Sequence, residues 1–242
     1  LWASIKMALD GLTSNKLRSL LTMLGIIIGV GAVIAMVSLG FSVRDRIQAS
    51  IAGLGSNLII ITPGGTTATG QRVAAGSGAR LTYADAKAIE KNIGDINYVA
   101  PAVSRSYQVV YGNQNWTTQV EGNTQSFLPV RDFSVEKGSF FTGRDLDSRA
   151  RVAVLGSTVA ENLFLDSDPI GQTIRINKAP FRVIGVFKSK GASAMGSDQD
   201  DFIVVPLTTA MQRMMGITYI GRISIQAASE GVIDTVQEDL GD

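Results

Sequence analysis

The chain has 242 residues, 45% of them hydrophobic and 18% charged, and a formal net charge of +1. So balanced a charge excludes a nucleic-acid binder that works by neutralising many phosphates. Cys and His are both absent, which removes disulfides, thiolate metal sites, Ser-His-Asp and Cys-His catalysis, His-bearing zinc sites and the two-His iron triad.

The opening stretch "LWASIKMALDGLTSNKLR" sets Trp2, Ile5, Leu9 and Leu12 at helical steps, with Lys6, Asp10 and Thr13 on the other side. That spacing predicts an amphipathic interfacial helix over residues 1–18, lying on the inner membrane surface with Trp2 as an anchor.

From Ser19 to Val43 no Asp, Glu, Lys or Arg occurs across 25 positions. A helix of that length measures about 37 Å, enough to cross a hydrocarbon core of about 30 Å. Core helices of soluble domains are usually shorter and carry a polar stripe, whereas Ser19, Thr22, Ser38 and Ser42 are the polar side chains here. A cleaved export signal has an apolar stretch of about 7–15 residues, and this run is far longer. The sequence therefore predicts a transmembrane helix over 19–43. Gly25-x-x-x-Gly29 supplies a small-residue face on which a second membrane helix can pack. That Gly is simply frequent in membrane helices is the alternative reading.

Lys16 and Arg18 stand immediately before the run, and the segment up to Arg18 carries a net +2. The positive-inside tendency then places the N-terminus in the cytoplasm and everything after about residue 43 outside it. Trp2, Lys16 and Arg18 form the interfacial anchor.

Beyond Arg44 the pattern changes to short elements. "RDRIQASIAGLG" reads as the helix continuing out of the membrane and stopping at Gly53 or Gly55. "NLIIIT" is a short buried strand closed by Pro63, Gly64 and Gly65. Residues 64–80, rich in Gly, Ala, Ser and Thr, read as a mobile loop. Thr82 with Asp85 forms a capping box opening a helix to about Ile93. Gly112–Asn113 turns a hairpin between "YVAPAVSRSYQVVYG" and "NWTTQVEG". "RVAVLG" is a strand, followed by Ser157 as the cap of the helix "TVAENLF"; "QTIRIN", "FRVIGVFK" and "DFIVVP" are further strands. "TTAMQRMM" is a short helix whose Met211, Met214 and Met215, at helical spacing, are expected to pack in the interior, contact with a partner protein or an apolar substrate being the alternative. Strand "YIGRISIQA" and a helix from Ser229 to about Leu240 complete the chain. The fold class is α+β with mostly antiparallel strands, the first strand and the last strand-helix pair sharing one subdomain.

Two loops are rich in acids: "SDQDD" (Asp198, Asp200, Asp201) and "GRDLD" (Gly143 to Asp147). Either could hold a hard cation and make a membrane-anchored enzyme. Neither matches the ligand spacing of a calcium loop, so their acids are expected to be solvated loop charge. Ser157 follows "VLG" without a G-x-S-x-G elbow and without a His to activate it. No catalytic, cofactor or metal residue is assigned.

"NKLRSLLTMLGIIIGVGAVIAMVSLG" resembles the opening of MacB/FtsX-type ABC transporter permeases of the type VII, mechanotransmission class. The likeness continues through "GSNLIIITPG", "FSVEKGSFFT", "VAVLGSTVAENLF", "DPIGQTIRINKAPFRVIGVF" and "DFIVVPLTTA" in the expected order. The resemblance implies one N-terminal transmembrane helix followed by a two-lobed extracytoplasmic α/β domain over 44–242. A porter-like lobe, about 50–115 plus 217–242, would hold an inserted smaller lobe at about 116–216. It implies a permease subunit of a bacterial cell (inner) membrane exporter, performing no covalent chemistry itself. Its implied partners are a cytoplasmic ABC ATPase carrying ATP-Mg, a second permease copy in a homo- or heterodimer, a periplasmic adaptor of the membrane-fusion kind, and the lipid bilayer. The sequence has no Walker-type Gly-x-x-x-x-Gly-Lys-Ser/Thr element and no second hydrophobic span, and its start looks more like a standalone permease than an ATPase fusion. Val43, Arg44 and Ile47 are then the transmission stalk between membrane and domain. A membrane-anchored ligand-sensing or adhesion domain without transport is the alternative, and nothing in the loops identifies a cargo.

Overall fold

A computed structural model describes residues 2, 16–54, 57–63, 80–165, 167–193 and 196–241. The amphipathic-helix reading of 3–15 and the loop reading of 64–79 lie outside the described residues. Two compact units divide the chain at Ala49 and Ser50.

Helix α1 (Lys16–Leu54) is 39 residues long and contains the whole uncharged run. It stops at Leu54, between the two glycines expected to end it. Consecutive Ile26, Ile27 and Ile28 point about 100° apart around a helix, and all three are more than 60% exposed. Apolar residues thus cover the circumference rather than one stripe. Among the described residues no helix is long and apolar enough to cross a membrane.

The second unit begins with strand β1 (Leu58–Ile61). Helix α2 (Tyr83–Asn92) opens on the capping box expected of Thr82 and Asp85, the Thr82 N–H donating to Asp85 Oδ2 at 2.7 Å. Strands β2 (Ile96–Tyr111) and β3 (Gln114–Asn123) form the expected hairpin, with Gly112 in the left-handed region at φ 55°. Then follow α3 (Phe127–Arg131), β4 (Val135–Gly138), α4 (Gly143–Asp147), β5 (Val152–Leu155), α5 (Ser157–Phe164), β6 (Thr173–Ile176), β7 (Ala179–Phe187) and β8 (Phe202–Pro206). A short helix α6 (Leu207–Thr209) runs into a π-helical turn over Ala210–Met215. The chain ends with β9 (Arg222–Ala227), a 3₁₀ turn and α7 (Ile233–Gly241).

Six of the strands close on themselves. β2 pairs β3, β3 pairs β8, β8 pairs β5, β5 pairs β7, β7 pairs β6, and β6 returns to β2 at Val109↔Ile176. β3–β8 and β5–β7 are parallel and the other four ladders antiparallel, so the barrel is mixed. Closure leaves the barrel no free edge. Its interior holds Val109, Val120, Leu155, Ile174, Ile176, Phe181 and Ile203, each at most 1% exposed, with Val159, Leu163 and Phe164 of α5 in the same cluster. Each such side chain contributes on the order of 1.5–3 kcal/mol by leaving water.

Alternation along the strands builds a second core on the other face. Ala153, Leu155, Ile203 and Val205 point into the barrel, while Val152, Val154 and Val204 point away from it. Against these pack Phe127, Phe133, Phe187 and Phe202, with ring centroids 5.2–6.0 Å apart. The first half of β2 leaves the barrel and pairs β9, which pairs β1, all antiparallel. The first and last strands are therefore neighbours, as the sequence suggests. Ala86 of α2 and Val236 of α7 are buried in this second core.

The acidic run before β8 is a clasp rather than solvated charge. Asp200 is 2% exposed and accepts hydrogen bonds from Ser189 Oγ at 2.6 Å, Lys190 N at 3.0 Å and Gly191 N at 2.8 Å. Asp201 accepts from the Trp116 indole at 2.9 Å, and Asp198, which remains exposed, accepts from Thr158 Oγ1 at 2.7 Å. These neighbouring acids thus fold the β7–β8 connection back on itself and tie it to β3 and α5. The second acidic stretch folds as α4, its Asp145 completing a capping box with Thr142. Gly156, not Ser157, is the cap residue of α5. The reason is steric: a Cβ at position 156 would lie 1.9 Å from the Asp200 carbonyl oxygen. Ser157 is instead the first residue of α5.

Burial alone would raise the Asp200 pKa; the bonds from Ser189, Lys190 and Gly191 outweigh it and hold the carboxyl below its usual value. A depressed folded pKa stabilises the native state above the unfolded value of about 3.9, and that contribution fades as pH falls through the folded pKa. Asp200→Asn is expected to lose about 1–3 kcal/mol near pH 7, with the difference from the parent shrinking below about pH 4. Thermal unfolding in detergent across pH measures both. Gly156→Ala is expected to cost about 1–3 kcal/mol by overpacking. Gly94→Ala, where an added Cβ meets nothing within 4 Å, is the neutral control in the same melts.

Candidate functional site

β2 changes partners in its middle. Ala102 faces Arg222 on β9, whereas Ser104 faces Glu121 on β3. Residues two apart on a strand share a face, so Arg222 and Glu121 project from the same side of the sheet and meet across β2. Arg222 Nη2 donates to both Glu121 oxygens at 2.7 Å, and Asn123 Nδ2 donates to Glu121 Oε1 at 2.8 Å. Glu121 is only 6% exposed. A carboxylate that deep is tolerable because these donors replace its water.

Helix α3 lays a second guanidinium beside this pair. Arg131 ends α3, and Asp132 after it turns the chain through the left-handed region at φ 50°. Burial pushes the Arg131 pKa down, Glu121 acts in the opposite sense, and Arg222 adds to the lowering. Lys190 braces the same corner: its Nζ donates to the Arg131 carbonyl oxygen at 3.0 Å, lies 3.9 Å from Asp132 and sits 4.4 Å above the Phe133 ring. Desolvation lowers the Lys190 pKa, with Asp132 opposing. Glu121, Arg131, Arg222, Asp198, Asp201 and Phe202 line a cleft of about 230 Å³.

Other concavities carry less convergent chemistry. One of about 440 Å³ is bordered by Glu136, Glu161, Asp168 and the exposed Leu165. Another, about 230 Å³, lies between α2 and the 124–126 turn, where burial, then Glu90 and Asp147, raise the Tyr83 pKa. Among the described residues no group of three His, Cys, Asp or Glu side chains could hold a metal ion. None of these arrangements sets a nucleophile beside a base.

The residues picked from sequence fall on α1 or before it. Gly25 and Gly29 are exposed on α1, and a Cβ added at either meets nothing within 4 Å. Lys16 is the first residue of α1, and Trp2 is 84% exposed. Arg18, Val43, Arg44 and Ile47 are helical, and their side chains lie outside the described residues. Glu121, Arg131 and Arg222 went unread in the sequence. The available signal was a lone charge inside each of two otherwise uncharged strand segments, "TTQVEGN" and "ISIQA" with its leading Arg. Pro129 inside "FLPVR" hid α3.

Known proteins give the chain its family. Residues 19–242 match the family described as the MacB-like periplasmic core domain. The chain is 41% identical over 229 residues to the macrolide export ATP-binding/permease protein MacB of Bdellovibrio bacteriovorus, covering 95% of this chain and 35% of that protein. It is 38% identical over 238 residues to the protein of the same name from Chlorobium luteolum, covering 98% of this chain and 36% of that one. The chain thus spans about a third of the length of these relatives. Among solved structures, the periplasmic region of MacB from Actinobacillus actinomycetemcomitans superposes with a TM-score of 0.64 at 27% identity, over 78% of this chain and 85% of that one. The extracellular domain of the noncanonic ABC-type transporter YknZ from Gram-positive bacteria shares the fold, with a TM-score of 0.57 at 22% identity over 65% of this chain and 78% of that one. The barrel with its appended sheet, and the match over residues 19–242, place this chain in the MacB-like periplasmic core domain family.

Proposed function

We propose that this chain is part of a permease subunit of a bacterial ABC-type exporter, coupling cytoplasmic ATP hydrolysis to movement of an extracytoplasmic domain. The observation that carries the reading is α1: one helix of 39 residues takes in the uncharged run and continues to Leu54, four residues before β1. A continuous helix transmits a displacement, whereas an unstructured tether dissipates it.

In this reading residues 19–43 cross the inner membrane, with Trp2, Lys16 and Arg18 at the cytoplasmic interface. The fully apolar circumference of α1 supports a lipid environment, since a helix hydrophobic all round belongs in a core or a bilayer. Gly25 and Gly29 offer a packing face to a membrane helix of the same or a second permease copy. Val43, Arg44 and Ile47 form the stalk that passes motion outward. The domain from 44 onward lies outside the cytoplasm; its porter-like lobe (about 50–115 and 217–242) takes in the β1–β9–β2 sheet, and its inserted lobe (about 116–216) takes in barrel strands β5, β6, β7 and β8 with most of β3. ATP-Mg binds a cytoplasmic ABC ATPase that drives the movement. A periplasmic adaptor is a further partner. The relatives' name makes a macrolide the first cargo to test.

Val43→Pro removes a helix hydrogen bond and introduces a clash costing about 3 kcal/mol or more. In the complete exporter, reconstituted in vesicles with its ATPase, the variant is expected to keep hydrolysing ATP while cargo movement is lost. Unchanged transport would contradict a helical stalk.

A further inference from the structure

We propose that the cleft between Arg131 and Arg222 binds a small monocarboxylate carried on a short apolar body. This proposal stands on the cleft's own chemistry and is independent of the export reading, which its failure would leave intact.

Two guanidinium groups and three carboxylates line the cleft. Glu121 already has three donors, two hydrogen bonds from Arg222 Nη2 and one from Asn123. Arg131 has no ion pair within 4.0 Å among the described residues, although it is half-buried and borders the cleft. Arg222 Nε is buried and without a hydrogen-bond partner. A guanidinium withdrawn from water costs several kcal/mol unless an anion answers it. Arg222 has its counter-charge in Glu121, so one carboxylate facing Arg131 would supply the missing charge and acceptors in the forked geometry that guanidinium favours.

The rim and walls narrow the ligand class. Asp198 and Asp201 also line the cleft, and their carboxylates repel a second negative charge. A monoanion is therefore preferred to a phosphate dianion. Phe202 borders the same space and is partly exposed, which suits a short apolar body. The cleft's roughly 230 Å³ admits a ligand of about one amino-acid residue.

The cleft also contains its own reporter. Trp116 donates its indole N–H to Asp201, which lines the cleft. The chain has two tryptophans, Trp2 and Trp116, so labelling with ¹⁵N-tryptophan gives two indole signals. N-acetyl-L-leucinate, added to the full chain in detergent, is expected to shift the Trp116 signal saturably. N-acetyl-L-leucinamide, which lacks the charge, should leave it unmoved, and inorganic phosphate should bind more weakly. Arg131→Gln is expected to weaken leucinate binding about tenfold or more, while Arg131→Lys, which keeps the charge, weakens it less. Should Arg131→Gln fail to fold, the acid-against-amide comparison on the unmodified chain decides alone. No saturable shift with leucinate, an equal shift with the amide, tighter binding of phosphate, or unchanged affinity in folded Arg131→Gln would each overturn the proposal.

Discussion

One strand holds two assemblies together. β2 is 16 residues long, and its first half is hydrogen-bonded to β9 while its second half belongs to the closed barrel. A slip of one residue along β2 would move every side chain to the opposite face, emptying both cores at once. Register is fixed from both ends, by Val99 and Val103 in one core and Val109 in the other. The partner change at Ala102 and Ser104 is also where Glu121 and Arg222 meet. A buried ion pair contributes little net stability when compared with apolar residues of the same size, but breaking it by losing one partner is costly. Its value here is specificity: it joins β3 and β9 in only one relative position.

The same principle governs the β7–β8 connection. Backbone amides at Lys190 and Gly191 would be unsatisfied beneath the loop; the Asp200 carboxylate accepts from both. Gly156 leaves room for the Asp200 carbonyl, and Trp116 and Thr158 hold the acids on either side. The clasp brings β8 into a parallel ladder with β3, although about 80 residues separate them in sequence. Lys190 extends the same connection to Arg131 and so to the cleft.

Local signals in the sequence were faithful to the structure. The Thr82–Asp85 capping box, the Gly112 hairpin and the long apolar helix each depend on residues within a few positions of one another. What could not be read depends on distant partners. Alternation shows that "RVAVLG" and "DFIVVP" are strands, but not that both faces of each are buried between two cores, nor that six strands close. Acids in a Gly- and Ser-rich loop look solvated until the amides they accept from are in place; Asp200 is the case in point. The capping residue of α5 shifted from Ser157 to Gly156 because of a carbonyl some 40 residues away in the chain. The cleft was invisible for the same reason, since its three charged residues lie on β3, α3 and β9.

A barrel braced by an appended sheet is a stiff body, and α1 is a continuous rod leading toward it in sequence. Family membership identifies that body as a MacB-like periplasmic core domain. The central claim is that α1 carries the chain across a bilayer so that work done inside reaches a domain outside. The absence of cysteine makes a direct measurement available. Single cysteines at Ser14 and at Asn113 of the hairpin turn, treated with a membrane-impermeant maleimide on intact cells, report the side on which each lies. The account predicts that Asn113→Cys is labelled at once and Ser14→Cys only after the membrane is permeabilised; labelling of both, or of Ser14→Cys alone, would contradict it.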